Sequence, residues 1–402
     1  MNERGELVTT QAPLEALRRA LAGAYQASAH GREAVELRDD LEKLVCRVTV
    51  MSVPGGSNWL TVTALRGYEQ DADRIRRLLR KHGFQSEDQW KSATVTMSGG
   101  ERSDAVVARV LLRLQEIQDA NLPGALAGTH VEFLHDFRVA IRRTRSVLRE
   151  MRGVFIAEDL QEVRADFKWL QDQTSAARDL DVYLEDLEQL RSLAPEPMRA
   201  DLAPLQPLLE ERRRRARLAM SAALTGERAR TLHGEWRGIL HGLILEPENL
   251  RPDASRPIAE LAGGRIRRVH DQMVRMGSAI DQGSAPEAYH ELRKKGKELR
   301  YLLELFGAHL FDPELVKPLV STLKLLQDVL GLHQDREVQA QMLRELAQEL
   351  IGLAGGAQAL MAIGTLVDRL EADSLAARGR FSSSFAQFSS AEQRRLVTDG
   401  FR

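Results

Sequence analysis

The amino-acid sequence predicts a mainly α-helical protein, built as two matched halves behind a small α+β segment. Three observations lead there. From Ser103 onward almost every stretch carries the apolar period of a helix, two stretches 155 residues apart repeat each other's lettering, and strand-like alternation is confined to residues 44–65.

The α+β segment covers residues 1–102. A helical pattern at Pro13–Tyr25 precedes two runs with strand character, Leu44–Val53 and Trp59–Leu65, both rich in Val and Thr. Pro54, Gly55, Gly56, Ser57 and Asn58 between them are turn formers, which predicts a β-hairpin. Gln70–His82 reads as a basic helix, and Ser98, Gly99, Gly100 and Glu101 as a linker. Met97–Glu101 has the lettering of an ATP-binding-cassette signature, but no phosphate-binding Gly-rich loop ending in Lys accompanies it.

The helical region, residues 103–376, is punctuated near Pro123, Gly153, Pro195–Pro197, Glu246–Pro257, Gly283–Pro286, Asp312–Pro313 and Gly352–Gly356. About eight to ten helices fit between these breaks. The stretch 246–257 divides it into halves of about 103–250 and 255–376. Duplicated helical units pack about a pseudo-twofold axis, so the expected architecture is two pseudo-symmetric helical-bundle halves. Residues 377–402, rich in Ser, read as a frayed tail.

Composition narrows the functions open to the chain. Its 402 residues include 43% hydrophobic and 29% charged side chains, ordinary for a globular protein. The net charge of -1 means that any electrostatic binding must come from charge segregated into patches. An aromatic content of 5% is thin for a protein that stacks bases. The one cysteine, Cys46, excludes intrachain disulfides and multi-cysteine metal sites, and no cluster of partners marks it as a nucleophile. With no apolar run of ~18 residues and no leader, the expected compartment is the cytoplasm, without a membrane partner.

The repeat carries the chemistry. His135, Arg138, Arg142, Arg145 and Arg149 fall within one arc of roughly 80° on a helix, with Phe137, Val147, Leu148 and Met151 opposite. His290, Arg293, Lys297 and Arg300 repeat the pattern against Leu292, Leu299, Leu303 and Phe306. Arg143 and Lys294 flank the two arcs. A second repeated segment begins at Lys168 and again at Lys324, each followed by Gln and Asp, and Arg178 follows the first copy. Such faces predict a basic surface for a polyanion.

Plainer roles compete for the same residues. The histidines serve equally well as structural groups, and Asp136 and Glu291 point ~100° away from them, so no metal site is expected. Lys168 and Lys324 can pair with Asp172 and Asp328 one turn on. Asp179, Asp181 and Asp335 are expected to cap helices or orient arginines. The Arg212–Arg217 block should be largely solvated, while Arg265, Arg267 and Arg268 could widen the basic surface.

His135–Leu148, Ala177–Val182, His290–Leu303 and Leu325–Asp335 resemble, in the right order, the conserved histidine α-helical domain, CHAD, over about residues 103–375. The resemblance implies an all-α fold of two four-helix halves whose basic surface binds inorganic polyphosphate. It also implies association with bacterial polyphosphate granules, and no catalysis or cofactor. Carried onto this chain, the binding residues are His135, Arg138, Arg142, Arg143, Arg145, Arg149, Lys168, Arg178, His290, Arg293, Lys294, Lys297, Arg300 and Lys324. Two positions depart: Gln334 stands where the first half has Arg178, and Glu298 where it has Arg143.

Relatives often carry a preceding CYTH domain, whose strand bears Glu-x-Glu-x-Lys. Residues 1–103 lack that string, so a degenerate remnant or an unrelated appendage is expected, without triphosphatase activity. Two alternatives stay open: nucleic-acid binding by the same basic face, and metal-dependent phosphoanhydride hydrolysis using Asp136, Asp179 or Glu291. Homo-oligomerisation is also left open.

Overall fold

The computed structural model describes residues 7–9, 11–30, 34–52, 57–86, 92–281 and 283–402. The backbone divides into two units, residues 1–94 with 113–141, and residues 95–112 with 142–402.

The first unit is built on a six-stranded antiparallel sheet of order β2-β3-β4-β5-β1-β6. Its strands are β1 (Leu7–Thr9), β2 (Gln26–His30), β3 (Ala34–Arg38), β4 (Leu44–Ser52), β5 (Asn58–Ala64) and β6 (Gln85–Ser86). The predicted hairpin is β4 and β5, paired from Cys46↔Ala64 to Ser52↔Asn58. Its turn at Pro54–Gly56 lies outside the described residues. Alternation sends Val48, Val50, Leu60 and Val62 toward α1 (Pro13–Leu21) and α2 (Glu69–Lys81), where they meet Leu17, Leu21, Ile75 and Leu79. Trp59 points to the other sheet face and meets Phe133 edge-on at 5.3 Å. Cys46 is fully buried in that core, and burial pushes its thiol up to about 11, which makes it an inert packing residue.

Two long helices belong to both units. They are α3 (Ser103–Ala127), whose start lies in the second unit, and α4 (Val131–Glu150), which enters the second unit at Arg142. The second unit continues with α5 (Ala157–Gln173), α6 (Ser175–Glu185), α7 (Leu187–Ser192), α8 (Leu205–Thr225) and α9 (Glu227–Gly242). After short 3-10 turns come α10 (Ile258–Ser278), α11 (Pro286–Leu302), a π-helical turn at Leu303–Gly307, α12 (Pro313–Leu350), α13 (Gly356–Phe388) and α14 (Ala391–Gly400). One core joins Leu180, Leu187 and Leu205 of the first half to Leu343, Leu346, Leu366 and Leu370 of α12 and α13.

The predicted break between the halves is a pinned segment. Arg251, with no exposed side-chain surface, donates to Asp104 at 3.1 Å, and Arg102 binds the same carboxylate at 2.7 Å while reaching Glu248 at 2.5 Å. Ser103 N–H donates to the Arg256 carbonyl at 2.9 Å. The start of α3 is thereby fastened to residues 248–256.

The duplication is not strict here, and one expectation fails. The first half breaks at Thr174, after the helix that carries Lys168, yet α12 runs unbroken through the corresponding Leu330 and Gly331. Thr174 turns its hydroxyl onto the Gln171 carbonyl at 2.8 Å and closes α5, whereas Leu330 and Gly331 offer no competing acceptor or donor side chain. Nor is 377–402 a frayed tail. Phe381, Phe385, Phe388 and Phe401 are buried, with the serines between them turned elsewhere, and Ser390 caps α14 by accepting from Gln393 N–H. Spacings of four and three between the phenylalanines mark a helical stripe.

Asp104 sets the pH behaviour of this anchor. Burial opposes its ionisation, but hydrogen bonds from Arg102 and Arg251 outweigh burial and hold the carboxyl below its usual value. A folded value below the unfolded one stabilises the fold fully above the unfolded carboxylate range. That contribution is lost as pH falls through the depressed folded value. Asp104→Asn, which strands the Arg251 charge, should cost about 3–5 kcal/mol at neutral pH in denaturant unfolding. The difference between variant and parent should shrink in strong acid.

Candidate anion-binding site

The two histidine-motif helices carry side chains that meet one another. Within the second unit Arg143 of α4 binds Glu304, just after α11, at 2.7 Å, and Arg149 binds Glu298 of α11 at 3.0 Å. Arg142 donates weakly to Tyr301 at 3.4 Å. As position rises along α4, its partner's number falls, so the pairing is antiparallel. The register is also reciprocal. Glu298 is the repeat counterpart of Arg143, and Glu304 that of Arg149, each 155 residues on. Each arginine therefore binds the counterpart of the other, as in a contact across a twofold axis. The replacement of Arg143 by Glu298 in the second copy, which looked like a loss of basic surface, supplies a partner for the first copy.

The expected solvent-facing ridge is more enclosed than a helical wheel implies. Asp136, Arg138, Thr144, Ser146 and Glu150 are all buried, and His135, Arg142, Arg143 and Arg145 are only partly exposed. His135 and Arg138 lie on the part of α4 that clusters with the sheet. Polar character on a wheel marks a surface only when nothing pairs with it, and here carboxylates and amides do. Glu298 also receives Lys295 at 2.7 Å, and burial pushes its carboxyl up despite both cations.

At the C-terminal end of α4, where Glu298 and Glu150 (3.2 Å) both take Arg149, further cations gather. A cleft of about 650 Å³ opens between that end, the following 3-10 turn, α5 and residues 250–252. Its cations are Arg145, Arg149, Arg152, Arg164 and Lys168, and no Asp or Glu lines it. Arg145 donates to Gln171 at 2.6 Å, which fixes its head. Burial, reinforced by the charges of Arg149 and Arg164 and opposed by Asp172, pushes its guanidinium below the usual value. Crowded, partly dehydrated cations of this kind favour an anion.

Similarity to known proteins identifies the family. The CHAD domain family model matches residues 108–344, more than half of the chain. The chain belongs to the CHAD family. An uncharacterized protein of Mycobacterium tuberculosis is 27% identical over 217 residues, covering 53% of this chain and 40% of its own length, and its counterpart in a second strain matches equally. The chain thus spans less than half of these curated relatives. The CHAD domain of the plant Ricinus communis superposes with a TM-score of 0.60 at 22% identity, covering 73% of this chain and 95% of that one. PptA from Streptomyces chartreusis superposes at 0.55 and 17%, covering 71% and 99%. At such identities the agreement concerns the fold.

Among the remaining CHAD motif residues, few join the cleft. His290 holds Gln334 at 2.6 Å, and Arg293 reaches Asp335 at 3.4 Å, so these two brace α11 against α12. Lys294 pairs with Glu291 at 2.7 Å, Arg300 with Glu304 at 2.6 Å, and Arg178 with Glu185 at 3.3 Å. Lys297 is partly buried, and Lys324 is exposed on α12. Lys168 pairs with Asp172 at 2.7 Å on exposed side chains, a contact that solvent screens and a ligand can displace. Of the other arginines, Arg217 takes both oxygens of buried Asp181 at 2.9 Å, Arg265 holds Asp253, and Arg267 donates to the Phe401 carbonyl. Arg265 and Arg267 therefore do not widen the basic surface.

Sequence reading missed Arg152 and Arg164. The spacing 135, 138, 142, 145, 149 continues to 152, so the signal was present and was cut short at Gly153. Arg164 lies one turn before Lys168 on the same face of α5.

The reciprocal pairs can be measured. A double-mutant cycle on Arg149→Ala and Glu298→Ala should give a coupling of about 0.5–3 kcal/mol in unfolding free energy. Additive single effects would place the contact outside the folded protein.

Proposed function

We propose that this CHAD protein binds inorganic polyphosphate without transforming it, with the cleft at the end of α4 as the principal contact. The observation that carries the proposal is the grouping of Arg145, Arg149, Arg152, Arg164 and Lys168 around one cleft with no lining carboxylate. Polyphosphate offers only charge, oxygen acceptors and regular spacing. Arginine forks hold two phosphate oxygens at once and keep their charge, and Lys168 adds a mobile one. Cations one turn apart on α4 and α5, about 5.4 Å, can follow a flexible chain. The family resemblance points to the same ligand and to residence on polyphosphate granules.

The chemistry of the lining favours binding over hydrolysis. Phosphoanhydride transfer ordinarily uses carboxylates to hold divalent cations beside the phosphates, and this cleft presents none. Among the described residues no His, Cys, Asp and Glu group of three is placed to hold a metal ion. Nucleic acid is disfavoured because Phe155, the one aromatic ring lining the cleft, is 5% exposed and unavailable for stacking. Among the described residues no helix is long and apolar enough to cross a membrane.

Titration with long-chain polyphosphate at two salt concentrations tests the proposal. Affinity should fall steeply with salt as condensed counterions are released. Arg164→Glu should weaken binding at least about tenfold, or about 1.4 kcal/mol, with an unchanged melting temperature. An unaltered affinity in Arg164→Glu and Arg152→Glu, or preferred binding of duplex DNA at equal salt, would overturn it. In cells holding granules, a fluorescent fusion should collect on them and disperse on the same substitution.

A further inference from the structure

The cleft holds more than a polyanion needs. Its lining also includes Leu250 and Pro252 from the segment between the halves, and Leu160, Ala157 and Ala165 on the same helix as Arg164 and Lys168. Leu250 is 52% exposed, a large apolar side chain left open to water at the rim of a cationic cleft. Inorganic phosphate chains have no apolar surface and gain nothing from such a wall. A ligand that joins phosphates to a flat organic ring would use both sides.

The wall is also held in place. Arg251, between Leu250 and Pro252, is tied to Asp104, and Glu248 to Arg102. Asp253 N–H donates to the Gly153 carbonyl at 2.8 Å, and a side chain at Gly153 would collide with the Asp253 carboxylate. The Asp253 carboxylate is itself taken up by Arg256 and Arg265, each at 2.9 Å. Asp253 is thus engaged away from the cleft, and residues 250–252 are held at its edge. Gln161, exposed and lining the same cleft, carries an amide that can both donate to and accept from a base edge. The volume of about 650 Å³ falls within the ~300–1,000 Å³ usual for small-ligand sites.

We infer that this cleft accepts a nucleoside polyphosphate, with the phosphates on Arg145, Arg149, Arg164 and Lys168 and the base against Leu250 and Pro252. The inference rests on the proposed phosphate-binding role of the cleft and adds a chemical class to it. No bond is made or broken. Occupancy by a nucleotide would compete with polyphosphate and make binding of the polymer responsive to the nucleotide pool.

The test compares ATP, inorganic tripolyphosphate and adenosine by calorimetric titration of the full chain at one ionic strength without added metal, with long polyphosphate in parallel. ATP should bind at least about tenfold more tightly than tripolyphosphate, and adenosine only weakly. Leu250→Ser, at an exposed position, should bring ATP down to the tripolyphosphate level and leave tripolyphosphate unchanged. Arg164→Glu should weaken both. ATP binding no tighter than tripolyphosphate, or insensitive to Leu250→Ser, overturns this inference even if polyphosphate still binds. Loss of polyphosphate binding's dependence on Arg164 overturns the underlying reading instead.

Discussion

Two copies of a basic helix cannot lie alongside each other unless something answers their mutual repulsion. Two like charges 4 Å apart cost about 4 kcal/mol at the effective dielectric of a protein surface. A strict duplication with α4 and α11 antiparallel would set the counterpart of Arg149 against Arg143, and that of Arg143 against Arg149. This chain has glutamate at both counterpart positions, Glu304 and Glu298, and the clash becomes two ion pairs. Glu304 additionally takes Arg300, and Glu298 takes Lys295. Glu298 is buried and its carboxyl is pushed up, so much of the Coulomb gain offsets desolvation. The pairs therefore contribute more to register than to stability, because a slip of one turn would set Arg143 against Arg300 and Arg149 against Lys294, or in the other direction set both arginines against the apolar Ala308 and Leu302.

That solution decides where free positive charge remains. A chain with a net charge of -1 has acids enough to compensate nearly every cation, and among the described residues many are so placed. Asp104, Glu248 and Asp253 fasten the segment between the halves, Asp181 and Glu349 hold arginines of α8, and Glu298 and Glu304 fill the seam of the repeat. At the end of α4 and on the facing side of α5 acids reach some cations, Glu298 and Glu150 on Arg149 and Asp172 on Lys168, but line none of the cleft. Cations accumulate there and no carboxylate lines the cleft they share, so Arg145 is destabilised in its charged form. The candidate site is where internal compensation is incomplete.

Much of this was legible in the residues. Breaks read at Gly and Pro marked most of the gaps between helices, though not those at Asp186 and Gly226, alternation placed β4 and β5, and the repeated lettering placed the two motif helices. The strands β1 and β6, of three and two residues, are too short to carry a pattern. The continuity of α12 through Gly331 depends on the absence of a capping side chain, which period alone does not register. Exposure was the larger gap. A wheel separates polar from apolar faces, but Thr144, Ser146 and Arg138 are polar and buried, because packing partners distant in sequence satisfy or enclose them. The same gap explains why fourteen basic-motif positions were marked and only Arg145, Arg149 and Lys168 line the cleft.

The duplication also fails to reproduce the cleft, and the failure can be traced position by position. In the second copy Arg145 corresponds to Arg300 and Lys168 to Lys324, so two of five cations persist. Arg149 corresponds to Glu304, which neutralises Arg300 at 2.6 Å. Arg152 corresponds to Gly307, a buried position with no side chain, where an added Cβ would press on Leu303 at 3.1 Å. Arg164 corresponds to Val320, an uncharged residue on α12. Each change that gives the seam its complementary charge or the second half its packing removes a cation from the second cleft. The scaffold is therefore built twice and the candidate cleft once: Glu304, the acid that joins α11 to α4 through Arg143, also neutralises Arg300 in the second copy.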